Sequence, residues 1–310
     1  MEQLIRLFPV HLREVVRTSN IFNQQLEEIR VRVNAPLMFR TAKGEFFLRE
    51  KTLTQKLDNQ CLIMSAEDVH QMSVYMSKYS LYAYEEEIKK GFLTVEGGHR
   101  VGICGQAACE NGQIRRMHPI SYLNIRVAQE QKNCAKDIFP YLLKGQEFCN
   151  TLLLSAPGVG KTTLLRDIIR LLSDGSESCP GKKVGLVDER SEIAGCLRGI
   201  PQNDVGIRTD VLDACPKAEG MMLFIRSMSP EILAVDEIGG TEDMNAMQYA
   251  MRCGCRIVAT IHSRDIEELA SKPGWGTYLQ TGLFERYIVL FCENGVRRYA
   301  VYSGGLKRIC

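Results

Sequence analysis

Apolar and polar residues follow two different patterns along the chain, and the change between them falls near residue 130. In the first part, apolar and basic residues alternate over Glu28–Val33, which predicts a strand with one buried face. A hairpin is predicted over Phe39–Leu48, with its turn at Lys43-Gly44. Ser65 and Asp68 have the spacing of a capping box, so we expect a helix to begin directly after Ser65.

Two further segments of the first part have the pattern of strands. Gly91–Gly105 predicts two short strands around a turn at Gly97-Gly98, and Ser121–Val127 predicts another strand. Together with the helix, these elements predict a small α+β domain over residues 1–129.

After residue 150 the pattern changes to short, almost continuously apolar segments separated by helical patterns. Such segments are typical of strands that are buried on both faces of a parallel sheet, with helices as crossover connections. We therefore predict an α/β domain with a parallel sheet over residues 130–310. The predicted strands are Asn150–Ser155, Lys183–Val187, Glu231–Val235 and Arg256–Ile261.

A phosphate-binding loop is predicted between the first of these strands and a strongly apolar helix. Gly160, Lys161 and Thr162 match the end of the Gly-x-x-x-x-Gly-Lys-Ser/Thr motif, whereas Ser155 replaces its first glycine. Backbone N–H groups and the helix dipole hold the anion, so the motif's chemistry tolerates that replacement. The predicted ATP-binding residues are Ser155, Ala156, Pro157, Gly158, Val159, Gly160, Lys161, Thr162 and Thr163. The alternative is a glycine-rich turn without a ligand, which the Lys-Thr pair and its strand–helix context disfavour.

Acidic pairs follow two of the other predicted strands, at the edge where an open parallel sheet binds its ligands. Asp236-Glu237 has the Walker B form: Asp236 and Thr162 are the predicted Mg²⁺ ligands, and Glu237 can orient or deprotonate water. Asp188-Glu189 ends the neighbouring strand, and its alternative role is a solvated loop that caps the next helix. The sequence leaves open whether Glu189 or Glu237 is the catalytic base.

Polar residues also end the fourth predicted strand. Thr260, His262 and Ser263 lie where they could sense the γ-phosphate, although a single histidine can equally serve a structural role.

The bulk composition narrows the classes of function. Among 310 residues, 39 Lys and Arg nearly balance 37 Asp and Glu, which gives no sign of a nucleic-acid partner. No apolar run approaches the roughly 20 residues of a membrane span, so we expect a cytoplasmic protein that reaches a membrane through partner proteins. The twelve cysteines lack Cys-x-x-Cys spacing, which argues against zinc and for reduced thiols.

The order of a Gly-Lys-Thr loop, an acidic box, a Walker B segment and Thr-x-His resembles the secretion ATPases of type II and type IV systems. This resemblance implies a RecA-like P-loop NTPase core. The runs Ser155–Asp167, Val187–Gly195 and Ala234–Gly240 more closely resemble the stage III sporulation protein AA family. That family resemblance implies an ATP-hydrolysing hexameric ring, docked on membrane proteins of a channel complex between mother cell and forespore. It also implies that His262 is a catalytic-site residue.

Ring ATPases complete their sites with an arginine from a neighbouring subunit or domain. Arg226, at the end of the predicted helix Ala218–Arg226, is the first candidate, and Arg100 and Arg126 are weaker ones. Two other functions stay open: a RecA- or AAA-type nucleic-acid motor, which the net charge of +2 disfavours, and a nucleotide-dependent scaffold.

Overall fold

The computed structural model describes residues 2–77, 91–129, 131–177, 179–293 and 295–310. The chain divides into two compact units, Met1–Gln129 and Glu130–Cys310. The elements of the first unit are α1 (Glu2–Ile5), α2 (Val10–Thr18), a 3₁₀ turn (Ile21–Asn23), β1 (Leu26–Arg32), β2 (Ala35–Pro36), β3 (Met38–Thr41), β4 (Gly44–Arg49), β5 (Thr52–Thr54), β6 (Ile63–Met64), α3 (Ala66–Met76), β7 (Phe92–Val95), β8 (His99–Glu110) and β9 (Gln113–Arg126).

The first unit is built on an antiparallel sheet with the strand order β5-β4-β3-β1-β9-β8-β7. The period-two pattern of β1 is confirmed, because Ile29 and Val31 are fully buried while Arg30 is partly exposed. The capping box of α3 is confirmed as well. The Ser65 hydroxyl accepts the N–H of Asp68 at 3.1 Å, and the Asp68 carboxylate accepts the N–H of Ser65 at 2.9 Å.

The hairpin of β8 and β9 is much longer than the sequence predicts. Strands over Gly91–Gly105 and Ser121–Val127 are present, but β8 continues to Glu110 and β9 begins at Gln113. Within the described residues, the far halves of the two strands pair with each other alone, and they are largely exposed. Because small and polar residues dominate there, the sequence carries no alternating pattern that would reveal them.

The second unit contains a mainly parallel sheet with the strand order β14-β13-β15-β16-β12-β17-β18, in which only the edge strand β18 runs antiparallel. Its elements are a 3₁₀ turn (Phe139–Leu142), β10 (Leu143–Lys144), β11 (Glu147–Phe148), β12 (Thr151–Ser155), α4 (Lys161–Asp174), β13 (Val184–Asp188), β14 (Thr209–Asp213), α5 (Lys217–Ser227), β15 (Ile232–Val235), α6 (Thr241–Arg252), β16 (Arg256–His262), α7 (Ile266–Ser271), α8 (Trp275–Gln280), β17 (Arg286–Glu293) and β18 (Val296–Ser303).

The four predicted parallel strands are confirmed as β12, β13, β15 and β16, with boundaries that differ by at most one residue. Residues of β12 point alternately into two apolar clusters: Leu153 packs with residues of α4, and Leu152 and Leu154 pack with residues of α5 and α6. Helices therefore cover both faces of the sheet, which explains the almost continuous apolar runs. The carboxyl ends of β12, β13, β15 and β16 meet at one edge, and this edge carries the candidate site.

Candidate nucleotide-binding site

The loop between β12 and α4 has the backbone that a phosphate-binding loop needs. Gly158 and Gly160 adopt φ values of +78° and +108°, a region that residues with a Cβ rarely enter. Ser155 ends β12 fully buried, and its hydroxyl donates to the carbonyl of Ala156 at 2.9 Å. Lys161 opens α4, so the unpaired N–H groups of the first helical turn face the loop. This geometry suits an anion.

The side chain of Lys161 lies in a cluster of ionisable groups. It is only 5% exposed, and its Nζ is 3.2 Å from Nδ1 of His262 and 4.0 Å from Oε1 of Glu237. Burial lowers the pKa of Lys161, while the nearby carboxylates of Asp236 and Glu237 act in the opposite direction. The structure therefore brings together the lysine of the loop, the Walker B acids and the histidine.

Glu237 has a basic partner at each carboxylate oxygen. Its Oε1 is 2.7 Å from Nε2 of His262, and its Oε2 is 2.7 Å from Nη1 of Arg190. Burial acts to raise the pKa of Glu237, but the hydrogen bond to His262 and the charge of Arg190 outweigh it and hold the pKa below its usual range. Glu237 also adopts φ = +51°, so its backbone is in the left-handed region.

The hydroxyl of Thr260 links the two Walker B acids. It donates to the carboxylate of Asp236 and accepts the N–H of Glu237 at 2.9 Å. Thr260 is fully buried, so its orientation is set by these two bonds. Ser263 does not join the cluster, because its hydroxyl donates to the carbonyl of Asp265, just before α7.

Mg²⁺ fits the oxygen donors that the sequence predicts. Asp236 offers a carboxylate, whose pKa burial raises, and Thr162 offers a hydroxyl. Among the described residues, no group of three or more His, Cys, Asp and Glu side chains forms a ready metal cage. That suits Mg²⁺, which usually takes one or two protein oxygens and completes its shell with water and phosphate oxygens.

The acids after β13 play a different structural part from those after β15. Asp188 is buried and accepts the N–H groups of Glu192, Ile193 and Ala194 at 2.9, 3.0 and 2.9 Å. Burial raises the pKa of Asp188 to about 6. Asp188 therefore shapes the loop that carries Arg190. Asp188 is buried rather than solvated, whereas Glu189 and Arg190 of the same loop are exposed.

Glu189 lies outside the cluster around Lys161. Its carboxylate pairs with the ammonium group of Lys217, the first residue of α5. Geometry thus separates the two glutamates that the sequence left equivalent: Glu237 contacts His262, and Glu189 contacts α5.

The structure does not bring Arg226 to the site of its own chain. It lies in the last turn of α5, which runs from the carboxyl end of β14 back to the amino end of β15. Arg226 is therefore at the opposite edge of the sheet from the phosphate loop. In the first unit, the guanidinium of Arg100 lies 3.7 Å from the ring centroid of Phe92, and Nε of Arg126 is 3.9 Å from Oε1 of Glu28.

Two arginines near the loop were not among the predicted site residues. Arg190 follows the acidic pair directly, so the Asp-Glu-Arg run was an available signal. Arg297 lies on β18, and a Cβ added to Gly160 would come within 3.0 Å of its Cζ. No sequence motif links Arg297 to the loop, since only the fold brings the two together.

Comparison with known proteins shows which family the chain belongs to. The family described as "Sporulation stage III, protein AA" matches residues 1–303 of the chain. The chain belongs to the stage III sporulation protein AA family. The relative with that name from Bacillus subtilis (strain 168) is 41% identical over 299 residues, which cover 95% of this chain and 92% of the relative.

Solved structures share the fold at low sequence identity. The ATPase DotB of Legionella pneumophila has a TM-score of 0.60 at 17% identity, covering 96% of this chain and 81% of DotB. The pilus retraction motor PilT, solved with bound ADP, has a TM-score of 0.58 at 13% identity, covering 93% of this chain and 81% of PilT. The predicted RecA-like P-loop core preceded by an α+β domain is therefore confirmed as the fold of this family member.

A membrane-spanning helix is not found in the part of the chain that the structure describes.

Proposed function

We propose that this family member is an ATPase that binds ATP at the loop Ser155–Thr163 and hydrolyses it with the cluster beside that loop. The observation that carries the proposal is the contact of His262 with both Lys161 and Glu237. A turn that merely connected a strand to a helix would not need a buried lysine next to a carboxylate and an imidazole. The shared fold with an ATPase and with a motor solved with ADP supports the same assignment.

Each group of the site has a task in this proposal. The loop N–H groups and the ammonium of Lys161 bind the β- and γ-phosphates. Asp236 and Thr162 hold Mg²⁺, which neutralises charge on the phosphate oxygens when it is bound. Thr260 fixes the orientation of Asp236 through its hydrogen bond.

We assign Glu237 as the residue that orients and deprotonates the attacking water. Its lowered pKa keeps the carboxylate ionised, and its contact with His262 places it next to the lysine that binds phosphate. Glu189 is paired with Lys217 and has no such contact with the cluster in the described residues. We assign it to positioning the loop after β13.

The test is nucleotide binding and phosphate release by the purified chain and two lysine variants. Lys161→Ala is expected to weaken ATP binding by about 100-fold or more, because it removes a charge-assisted contact to the phosphates. Lys136→Ala removes an exposed lysine of the same unit and should behave like wild type. Unchanged ATP affinity in Lys161→Ala, or no ATP binding by the wild type, would contradict the proposal.

We further propose that the ATPase is a homo-oligomeric ring, expected to be hexameric, that acts in sporulation. In this proposal it works from the cytoplasmic side of a membrane, on membrane proteins of a channel between mother cell and forespore. Family membership and the name of the Bacillus subtilis relative support sporulation, and the fold shared with a pilus motor supports a motor. Light scattering with ATP should give about six times the 35.0 kDa of one chain. A chain that stays monomeric with ATP would contradict the ring.

A further inference from the structure

Arg297 lies at the same edge of the sheet as the phosphate loop. Ser155, at the end of β12, is level with Leu290 of β17, and Leu290 is paired with Tyr299 of β18. Because β18 runs antiparallel to β17, residues before Tyr299 extend past the end of β12. Arg297 pairs with Cys292 in this extension. The hairpin of β17 and β18 therefore continues alongside the loop.

The side chain of Arg297 points to the face of the sheet that α4 covers. Tyr299 packs against the cluster that contains Leu164 and Leu165 of α4, and alternate residues of a strand share a face. A Cβ on Gly160 would lie 3.0 Å from Cζ, 3.1 Å from Nη1 and 3.2 Å from Nε of Arg297. These nearly equal distances place the flat face of the guanidinium against Gly160, and they leave no room for a side chain there.

The guanidinium of Arg297 retains donors for a further partner. Its Nη1 donates to Oε1 of Gln131 at 3.3 Å, and a guanidinium has five N–H donors. Within the described residues it forms no ion pair with a carboxylate, whereas the adjacent Arg298 pairs with Glu293 at 3.0 Å. A cation beside Gly160 strengthens the positive potential at the N–H groups of the loop.

We propose that Arg297 is a phosphate-binding residue, which the β17–β18 hairpin supplies to the nucleotide of its own chain. The flat face of its guanidinium rests on Gly160, and its outer N–H groups contact phosphate oxygens beside Lys161. A planar fork of donors suits phosphate better than a point charge does. The inference rests on the proposed function, since it concerns the nucleotide bound at the same loop.

The experiment compares Arg297→Gln and Arg297→Lys with Arg298→Gln, the matched control on the same strand. Competition against a fluorescent ATP analogue gives the affinities for ATP, ADP, pyrophosphate and adenosine, and Trp275 fluorescence verifies folding. We expect Arg297→Gln to weaken ATP, ADP and pyrophosphate by about tenfold or more, with adenosine unchanged. Arg297→Lys should bind these phosphates more tightly than Arg297→Gln but less tightly than wild type, because lysine keeps the positive charge and lacks the planar set of guanidinium donors.

Two results would overturn the inference. One is wild-type affinity for ATP and pyrophosphate in folded Arg297→Gln. The other is weakened adenosine binding with unchanged pyrophosphate binding, which would assign Arg297 to the nucleoside. Wild type and Lys161→Ala are measured in the same assay. If wild-type protein bound no nucleotide the proposed function would fail, whereas wild-type binding with an unaffected Arg297→Gln would refute the role of Arg297 alone.

Discussion

Nε2 of His262 lies 2.7 Å from Oε1 of Glu237. A carboxylate accepts but does not donate, so Nε2 carries a proton in this contact. Nδ1 of the same ring is 3.2 Å from the ammonium of Lys161, which can only donate. The neutral tautomer with its proton on Nε2 satisfies both neighbours. His262 thus connects Lys161, which we propose binds phosphate, with the proposed base.

His262→Asn is expected to lower kcat by about tenfold or more, because the shorter side chain gives up the hydrogen bond to Glu237. That bond helps to lower the pKa of Glu237, so its loss raises this pKa. The acid limb of the kcat–pH profile should therefore move to higher pH. Ser263→Ala is the control, since the Ser263 hydroxyl contacts Asp265 instead. An unchanged profile in His262→Asn would refute the positioning role.

Glu237→Gln and Glu189→Gln should separate the two glutamates. We expect Glu237→Gln to lower kcat by about 10² to 10⁴ with little change in KM, as loss of a general base does. Glu189→Gln removes an ion pair with Lys217 outside the cluster and should cost much less. Steady-state phosphate release measures both. The reverse order of effects would assign the base to Glu189.

Asp167 ties the start of the second unit to the helix that follows the phosphate loop. Its buried carboxylate accepts the N–H groups of Asn133 and Ala135 at 3.0 and 2.8 Å, and Arg170 contacts it at 2.7 Å. Asp167→Ala leaves these donors without their acceptor, so we expect it to lower the free energy of unfolding by about 3 kcal/mol or more.

Urea unfolding followed by Trp275 fluorescence reports on the unit that contains Asp167. Asp174→Asn is the matched control, because Asp174 is partly exposed and its carboxylate lies 3.6 Å from Arg170, farther than the 2.7 Å of Asp167. It should lower the stability by less than about 1 kcal/mol. If both variants lost the same free energy of unfolding, the buried carboxylate of Asp167 would not stabilise the fold more than an exposed one does.

The burial of His99 leads us to expect that the stability of the first unit falls at acidic pH. It is buried, its Nδ1 accepts the N–H of Ala128 at 3.0 Å, and burial lowers its pKa from 6.5 to about 4. As pH falls through this window, the unfolded state takes up the proton first, so protons favour unfolding. The stability that His99 contributes is complete above pH 6.5 and lost towards pH 4, by about 3 kcal/mol in total.

His99→Gln should remove this acid-sensitive component, because glutamine cannot be protonated there. Urea unfolding followed by circular dichroism at pH 7 and pH 5 measures it, with the exposed His70→Gln as control. A pH dependence in His99→Gln that equals that of wild type would contradict the prediction.

The phosphate loop and the Walker B acids could be predicted because their signals are local. Glycine, lysine and threonine at fixed spacing specify a loop backbone, and an apolar run that ends in acids specifies a strand end. Since parallel strands bring their carboxyl ends to one edge, Lys161, Glu237 and His262 were expected together. Their contacts agree with that expectation.

Other features of the site depend on contacts between distant parts of the chain. The proposed division of roles between the two glutamates rests on the contact of Glu189 with Lys217 on α5 and on that of Glu237 with His262. Neither contact is visible in a strand-end pattern. Arg297 reaches Gly160 only because β18 is the neighbour of β17 at the sheet edge. Three strands of this sheet were also missed. β14 and β18 lie in segments of mixed polarity, whereas β17 contains the apolar run Tyr287–Cys292, which was an available signal.

The far part of the β8–β9 hairpin is also a suitable place to insert a tag. Its turn at Asn111-Gly112 is exposed, and in the part of the chain that the structure describes no third strand pairs with the strands beside this turn. An insertion there would disturb little buried surface, because buried apolar residues such as Val101 and Ile125 lie where these strands pair with β7 and β1. A short epitope tag or a fluorophore-labelling sequence at this turn should leave the rest of the first unit folded. It would allow the protein to be localised in sporulating cells without altering either end of the chain.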